Sequence, residues 1–163
     1  MPTFPFDPAQ RPDSVCNAYC MAAAARAAYF ERSRLEAEVV GSWHLRDCHA
    51  FSSASIQGYI ANGNGYTMLA FRGSDHLEID DWMGNADFDL VYDPHIRGGQ
   101  IHSGFQRGAE SIWPQVQHLL ADYRPPDHKL FLTGHSLGGA LAMLTAARFA
   151  SDQRSAEIDA IFT

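Results

Sequence analysis

The chain reads Lys129-Leu-Phe-Leu-Thr-Gly-His-Ser-Leu-Gly138 at the point where an apolar run meets a helical pattern. Residues 129–133 form a short, nearly continuous apolar run, which is typical of a parallel strand covered on both faces. Residues 138–150 are small and apolar and predict a helix, and a further strand is predicted over residues 156–163. Strand, helix and strand in this order form a βαβ unit, so this half of the chain predicts an α/β fold.

The rest of the chain also alternates between helical and strand-like patterns. The predicted helices cover residues 14–29, 33–41, 104–123 and 138–150, and the predicted strands cover 55–61, 66–71, 86–92, 129–133 and 156–163. Ser33 is the predicted cap of the second helix, and Pro114 predicts a kink or an early end in the third. The residues Asn62-Gly-Asn-Gly65 are typical of a tight turn and predict a β-hairpin. We therefore expect one α/β domain over residues 1–163.

Composition and charge limit the classes of function. Of the 163 residues, 46% are hydrophobic and 19% are charged, as in a globular domain that buries a core. The net charge of −7 disfavours binding to nucleic acid and gives no attraction to an anionic membrane. The three cysteines, Cys16, Cys20 and Cys48, lack metal-ligand spacing, and no histidine shows the HExxH pattern. Neither a metal nor another cofactor is predicted.

The start of the chain carries no recognisable export or membrane signal. Residues 1–13 lack the basic start and apolar core of a signal peptide. The most apolar early stretch, residues 20–30, contains Arg26 and is too short to cross a bilayer, so no transmembrane segment is predicted. We expect a cytoplasmic protein or a mature form whose leader has been removed.

The spacing of Gly134, Ser136 and Gly138 suits a serine nucleophile. A serine hydroxyl is a weak nucleophile and must be exposed to both a base and a substrate. A tight strand-to-helix turn projects Ser136 above the sheet edge, and larger residues at 134 or 138 would collide with the neighbouring backbone. The helix that follows favours negative charge at its N-terminus, so the Leu137 N–H becomes one oxyanion donor. A chance match in a loop is the competing interpretation, which the flanking strand and helix disfavour.

Four motifs, taken in order, resemble the class 3 (fungal-type) lipase family of the α/β-hydrolase fold. They are Phe71-Arg-Gly-Ser74, Asp81-Trp-Met-Gly-Asn85, Ile101-His-Ser-Gly-Phe105 and Leu132-Thr-Gly-His-Ser-Leu-Gly-Gly-Ala-Leu141. The resemblance runs from about residue 14 to the end of the sequence. It implies an α/β-hydrolase-like mixed sheet with flanking helices. It also implies hydrolysis of carboxylic esters of lipids, usually acylglycerols, without a metal or organic cofactor.

The resemblance also implies a role for each matched residue. Ser136 corresponds to the nucleophile, and the Leu137 N–H corresponds to one oxyanion donor. Ser74 corresponds to the second donor, through its N–H and its hydroxyl, and Asn85 to a residue that hydrogen-bonds this serine. His102 fits the family pattern, and we expect it to hold loops together rather than transfer protons.

Residues 76–84 match the lid of such lipases, a segment that covers the site in water and turns over at a lipid surface. The apolar face of this lid would consist of Leu77, Ile79, Trp82 and Met83. An ordinary capped loop that a tryptophan anchors to the core is the competing interpretation. The resemblance favours the lid, and with it a lipid ester substrate or a lipid–water interface as the partner.

The acid and the base of a catalytic triad are not evident in the sequence. In α/β hydrolases the order along the chain is serine, aspartate, histidine, but the last histidine here is His135. Three explanations remain open. The chain is one piece of a longer or cleaved polypeptide, it is a truncated product that keeps half of the fold, or an upstream histidine such as His102 acts as the base. The first two are favoured. In either case we expect the C-terminal remainder of the polypeptide, or another copy in a homo-oligomer, to cover an open sheet edge.

Two hypotheses of different class follow. The first is a serine ester hydrolase of lipase type, active when an aspartate and a histidine are supplied from outside this sequence. The second is a catalytically inactive hydrolase-like module that binds lipid or a protein partner. The motifs do not distinguish triacylglycerol lipase from phospholipase or from feruloyl-type esterase.

Overall fold

Five strands form a mixed sheet at the centre of the fold. The computed structural model of the chain describes residues 4–11, 13–53, 56–73, 89–96, 99–152 and 157–163. The strands of the sheet are β1 (Asp47–Ser53), β2 (Ile56–Asn62), β3 (Tyr66–Phe71), β6 (Lys129–Gly134) and β7 (Ile158–Phe162). A separate ribbon pairs β4 (Leu90–Tyr92) with β5 (Gln100–His102). The described helices are α1 (Val15–Ala27), α2 (Arg32–Glu36), α3 (Ser103–Tyr123) and α4 (Leu137–Ser151).

The strand order is β1-β2-β3-β6-β7. The first three strands form an antiparallel meander, and β3, β6 and β7 are parallel to one another. Gly65, at a φ of 77°, allows the tight turn between β2 and β3 that the sequence predicts. The helix between β6 and β7 makes the predicted βαβ unit, and the prediction of a mixed sheet with flanking helices is confirmed.

Side chains that alternate along β3 divide the core between the two faces of the sheet. Leu69 and Phe71 belong to the cluster formed with α3 and α4, whereas Met68 and Ala70 belong to the cluster formed with α1. All four are fully buried. Both faces of the central strands are therefore covered, as the apolar run 129–133 predicts.

The start of the second helix differs from the prediction. Glu31, and not Ser33, occupies the N-cap position, and Ser33 lies inside α2. Leu35 and Val39 are buried, and the Leu35 N–H donates to the Glu31 carbonyl at 2.8 Å. Because burial of these two apolar residues fixes where the helix begins, it overrides the capping preference of serine. The helix then continues as a π-helical segment over Ala37–Ser42.

Helix α3 does not end at Pro114, so of the two predicted outcomes, a kink or an early end, the early end is wrong. The helix continues through this residue to Tyr123. Pro114 is exposed, so the carbonyl that it leaves without a helical donor lies on the solvent side, where water can satisfy it. The apolar residues Ile112 and Val116 on the opposite side are buried and hold both halves against the sheet.

A buried polar network connects Asn62, the last residue of β2, to the neighbouring strands and to the end of α3. The side-chain amide of Asn62, only 2% exposed, donates to both oxygens of Asp47 at 3.0 Å and to the carbonyl of Tyr123 at 2.8 Å. Its oxygen accepts from the Thr67 hydroxyl at 2.6 Å, and that hydroxyl also lies 3.3 Å from Nδ1 of His128. Asn62 therefore joins three elements through one side chain.

We predict that Asn62→Leu lowers the free energy of unfolding by about 2–3 kcal/mol, because it removes the partner of the buried Thr67 hydroxyl and of the partly buried Asp47 carboxylate and Tyr123 carbonyl. Chemical denaturation measures this change. Asn64→Ala in the exposed turn of the same hairpin is the matched control and should change stability by less than about 0.5 kcal/mol. Equal effects of the two substitutions would contradict the role of the network.

Candidate functional site

Ser136 lies at the turn between the end of β6 and the start of α4. Its backbone has a φ of 57° and a ψ of −124°, a conformation that residues with a Cβ rarely adopt. Such strain persists only where the surrounding structure fixes it, and it concentrates at functional sites. The Ser136 residue is exposed, so its hydroxyl is accessible from solvent. We refer to residues 134–138 as the serine turn.

The two glycines of the serine turn allow backbones to approach one another. A Cβ on Gly134 would lie 2.2 Å from the carbonyl of Gly138. A Cβ on Gly138 would lie 2.3 Å from the carbonyl oxygen of Phe71, at the end of β3. The requirement for glycine at both positions is therefore a consequence of how closely α4 packs on β6 and β3.

The N-terminus of α4 points its first amides toward the serine turn. The N–H groups of Gly139 and Ala140 both donate to the carbonyl of Ser136, at 2.9 Å and 3.2 Å. Leu137 is the first residue of the helix, where an N–H has no helical carbonyl four residues before it. The position of the Leu137 N–H and the helix dipole suit this group to bind a negatively charged oxygen.

The turn that follows β3 lies against the serine turn. The Arg72 N–H donates to the Gln57 carbonyl at 2.9 Å, which extends the pairing of β2 and β3 by one residue. A Cβ on Gly73 would lie 2.4 Å from the carbonyl oxygen of His135 and 3.4 Å from Cβ of Ser136. The chain therefore passes next to Ser136 immediately before residue 74. We refer to residues 72–73 as the glycine turn.

Several predicted site residues lie outside the described part of the chain. They are Ser74, Asn85 and the four apolar lid residues Leu77, Ile79, Trp82 and Met83. Their predicted roles stay predictions. The described residues of the site are Gly134, Ser136, Leu137 and Gly138, which the fold brings together in one turn.

His102 and His135, which lie within the matched motifs, each have a hydrogen-bond partner through Nδ1. Nδ1 of His102 accepts a hydrogen bond from the Gly104 N–H at 3.1 Å and caps α3. His135 is exposed, and its Nδ1 lies 3.3 Å from the hydroxyl of Tyr29, at the end of α1. All eight histidines of the sequence precede Ser136. Tyr29 has no motif around it and was not predicted to be part of the site.

The described residues hold no cluster of His, Cys, Asp and Glu that suits a metal ion. Burial raises the pKa of the Cys20 thiol to about 11 and that of Cys48 to about 12. Both thiols are therefore neutral near pH 7 and are poor nucleophiles. Ser136 is better placed for nucleophilic chemistry than either of them.

A cleft of about 720 Å³ opens beside the serine turn. It lies between α1 and the ends of β6 and β7, and its lining includes Ala18, Ala22, Tyr29, His135 and Phe162.

None of the described helices combines the length and apolar character needed to cross a bilayer.

A strained serine that follows a parallel strand and precedes a helix, within a mixed sheet, defines the α/β-hydrolase class of fold. The chain belongs to the class 3 lipase family, since the family model described as Lipase (class 3) matches residues 68–163. The matched region contains the end of β3 and the whole serine turn. The predicted family membership is confirmed.

Two relatives by sequence are fungal enzymes. The lipase of Rhizomucor miehei is 34% identical over 80 residues, which cover 48% of this chain and 22% of that lipase. The secreted mono- and diacylglycerol lipase 1 of Fusarium solani is 28% identical over 105 residues, which cover 62% of this chain and 31% of that enzyme.

Two solved structures share the fold. A triacylglycerol lipase whose catalytic centre is a serine protease triad matches with a TM-score of 0.67 at 20% identity, over 90% of this chain and 58% of its own. The mono- and diacylglycerol lipase from Aspergillus oryzae matches with a TM-score of 0.56 at 31% identity, over 69% of this chain and 42% of its own. The matches thus span between 22% and 58% of the length of these four proteins.

We predict that Gly138→Ala lowers the free energy of unfolding by at least about 2 kcal/mol, because the added methyl group collides with the backbone of β3. Thermal and chemical denaturation measure the loss. Gly41→Ala is the matched control, since a Cβ there meets no atom within 4 Å. A Gly138→Ala protein as stable as the wild type would show that the close approach is not required.

Proposed function

We propose that the protein is a serine carboxylic-ester hydrolase that acts on lipid esters through Ser136. The strained backbone of Ser136, exposed between β6 and α4, is the observation that carries this proposal. Membership of the class 3 lipase family supports it, as do relatives that are named lipases and mono- and diacylglycerol lipases.

The geometry of the serine turn supports a two-step reaction through an acyl-enzyme. Oγ of Ser136 attacks the acyl carbon of the ester while a base accepts the hydroxyl proton, and the carbonyl oxygen becomes negative. The Leu137 N–H donates to this oxygen. The alcohol then leaves with the proton from the base, which gives an acyl-enzyme. Water attacks this intermediate through the same base, releases the carboxylic acid and restores Ser136.

We propose supporting roles for the residues that follow the glycine turn. Ser74 comes directly after Gly73, whose backbone lies next to Ser136, so its N–H and hydroxyl are assigned as the second oxyanion donor. Asn85 is assigned to hold Ser74. Residues 76–84 are assigned as the lid, whose apolar side chains cover the site until a lipid surface binds them.

The base and the acid of the triad are assigned to a segment outside residues 1–163, because every histidine of the sequence precedes Ser136. The second candidate function is a hydrolase-like module that binds lipid or a protein partner without turnover. The two candidates differ in whether Ser136 reacts.

We predict that Ser136→Ala abolishes hydrolysis of a p-nitrophenyl ester by the complete protein and abolishes labelling by a fluorophosphonate, because the attacking oxygen is removed. Ser151→Ala, at the exposed end of α4, is the matched control and should retain full activity. Unchanged turnover in Ser136→Ala would refute the nucleophile. A wild-type protein that neither turns over ester nor takes the label would favour the binding module.

Strand β7 forms one edge of the sheet, with β6 as its neighbour. Three of its apolar residues, Ile158, Ile161 and Phe162, are only half-buried. Side chains of β7 and α4 line a shallow pocket of about 470 Å³ along this edge. An exposed apolar strand edge is a template for another strand. We propose that the C-terminal remainder of the polypeptide, or a second copy, covers β7.

Analytical ultracentrifugation of the purified protein, with intact-mass analysis, tests the proposed cover. We expect either a chain longer than 163 residues, a co-purifying second segment or a dimer. A stable monomer of 18.0 kDa with no additional segment would contradict it.

A further inference from the structure

Tyr29 contacts both of the turns that meet at Ser136. Its hydroxyl oxygen lies 3.3 Å from Nδ1 of His135, the residue before the serine. A Cβ built on Gly73 would lie 2.3 Å from the same oxygen. The hydroxyl of Tyr29 thus fills the space between the serine turn and the glycine turn.

The ring of Tyr29 is also held from the side of the glycine turn. The guanidinium carbon of Arg72 lies 5.6 Å from the centre of the Tyr29 ring, within the range of a cation–π contact. Nη1 of Arg72 donates to Oε1 of Gln57 at 2.6 Å. Arg72, which belongs to the glycine turn, therefore contacts both the Tyr29 ring and β2.

Helix α1 gives Tyr29 a rigid base. The Thr133 hydroxyl in β6 lies 3.1 Å from the carbonyl oxygen of Met21 and 2.9 Å from that of Phe162, and the hydroxyl of Tyr59 in β2 donates to the carbonyl of Ala24 at 3.0 Å. Met21 and Ala24 are fully buried. Because α1 is bonded to the sheet in this way, the tyrosine just beyond its end has a defined position.

The proposed oxyanion donors belong to two different turns, one at Leu137 and one after Gly73. Donors stabilise a transition state only when they are held where the negative charge develops, and small displacements reduce the rate. The strained backbone of Ser136 also needs neighbours that prevent it from relaxing. A side chain that touches both turns meets both requirements.

We propose that Tyr29 is a positioning residue for ester hydrolysis, and this inference rests on the proposed function. Its hydroxyl forms a hydrogen bond with Nδ1 of His135 and thereby holds the serine turn against the glycine turn. Tyr29 acts through these turns and transfers no proton in the reaction.

The test compares Tyr29→Phe with the wild type in the complete protein, using a p-nitrophenyl ester. Loss of one neutral hydrogen bond from the positioning network should lower kcat about three- to tenfold and leave KM nearly unchanged. The melting temperature of Tyr29→Phe should stay close to that of the wild type. Tyr19→Phe is the matched control, since Tyr19 lies in α1 and is 74% exposed, and it should have wild-type kcat.

Substitutions of His135 test whether the two residues act together. His135→Ala should lower kcat as much as Tyr29→Phe does, and the double variant should be no slower than either single variant. His135→Asn keeps a polar atom near the position of Nδ1 and should recover most of the lost rate. Independent, multiplicative effects of Tyr29→Phe and His135→Ala would overturn the inference.

Other outcomes separate this inference from the proposed function. Unchanged kcat in Tyr29→Phe, a fall only in melting temperature, or a rise only in KM would each overturn the positioning role. If the wild type hydrolyses no ester, the proposed function fails, and the hydrogen bond is tested by the ¹⁵N chemical shift of Nδ1 of His135. That shift should change in Tyr29→Phe and not in Tyr19→Phe, and an unchanged shift would remove the basis of the inference.

Discussion

The close approach of Gly138 to the carbonyl of Phe71 is the constraint on which the rest of the site depends. It places the first turn of α4 directly on β3, although the strand that precedes this helix is β6. As a result the chain after β3 passes next to Ser136 without any further element to bring it there. Two segments far apart in sequence thus meet because one residue has no side chain.

The strained backbone of Ser136 is supported by the buried strands β3 and β6, which lie next to its turn. Ser136 adopts a backbone conformation that costs of order 1–3 kcal/mol for a residue with a Cβ. The cost is offset by burial on both faces of the sheet, since Leu69 and Leu132 on one face and Met68 on the other are inaccessible to solvent. The exposed polar turn is therefore stable because the apolar strands on which it is built are almost completely covered.

Features in which two backbone segments approach each other closely were predictable from the sequence. The glycines at 134 and 138 and the small residues of α4 show directly how close the chains must approach, so the sequence indicated both the serine turn and the βαβ unit. The turn chemistry of residues 62–65 likewise indicated the hairpin of β2 and β3.

Features that depend on tertiary packing were not predictable. Strand β1 was missed because among its seven residues only Phe51 is buried, and an edge strand held by backbone hydrogen bonds leaves no alternating pattern. The Ser33 cap was wrong because burial of Leu35 and Val39 set the start of α2. Tyr29 has no surrounding motif, and its contact with His135 joins residues 106 positions apart.

The order of the strands also has a kinetic consequence. The meander of β1, β2 and β3 pairs neighbours in sequence, whereas β6 pairs with β3 only after residues 72–128 have closed into a loop. Closing long loops costs chain entropy before any contact repays it, so such pairings form late in folding. The serine turn and the glycine turn meet only once this pairing exists. The strained turn at Ser136 thus forms at a late stage of folding, and a chain in which only β1, β2 and β3 have paired does not yet hold the serine turn in place.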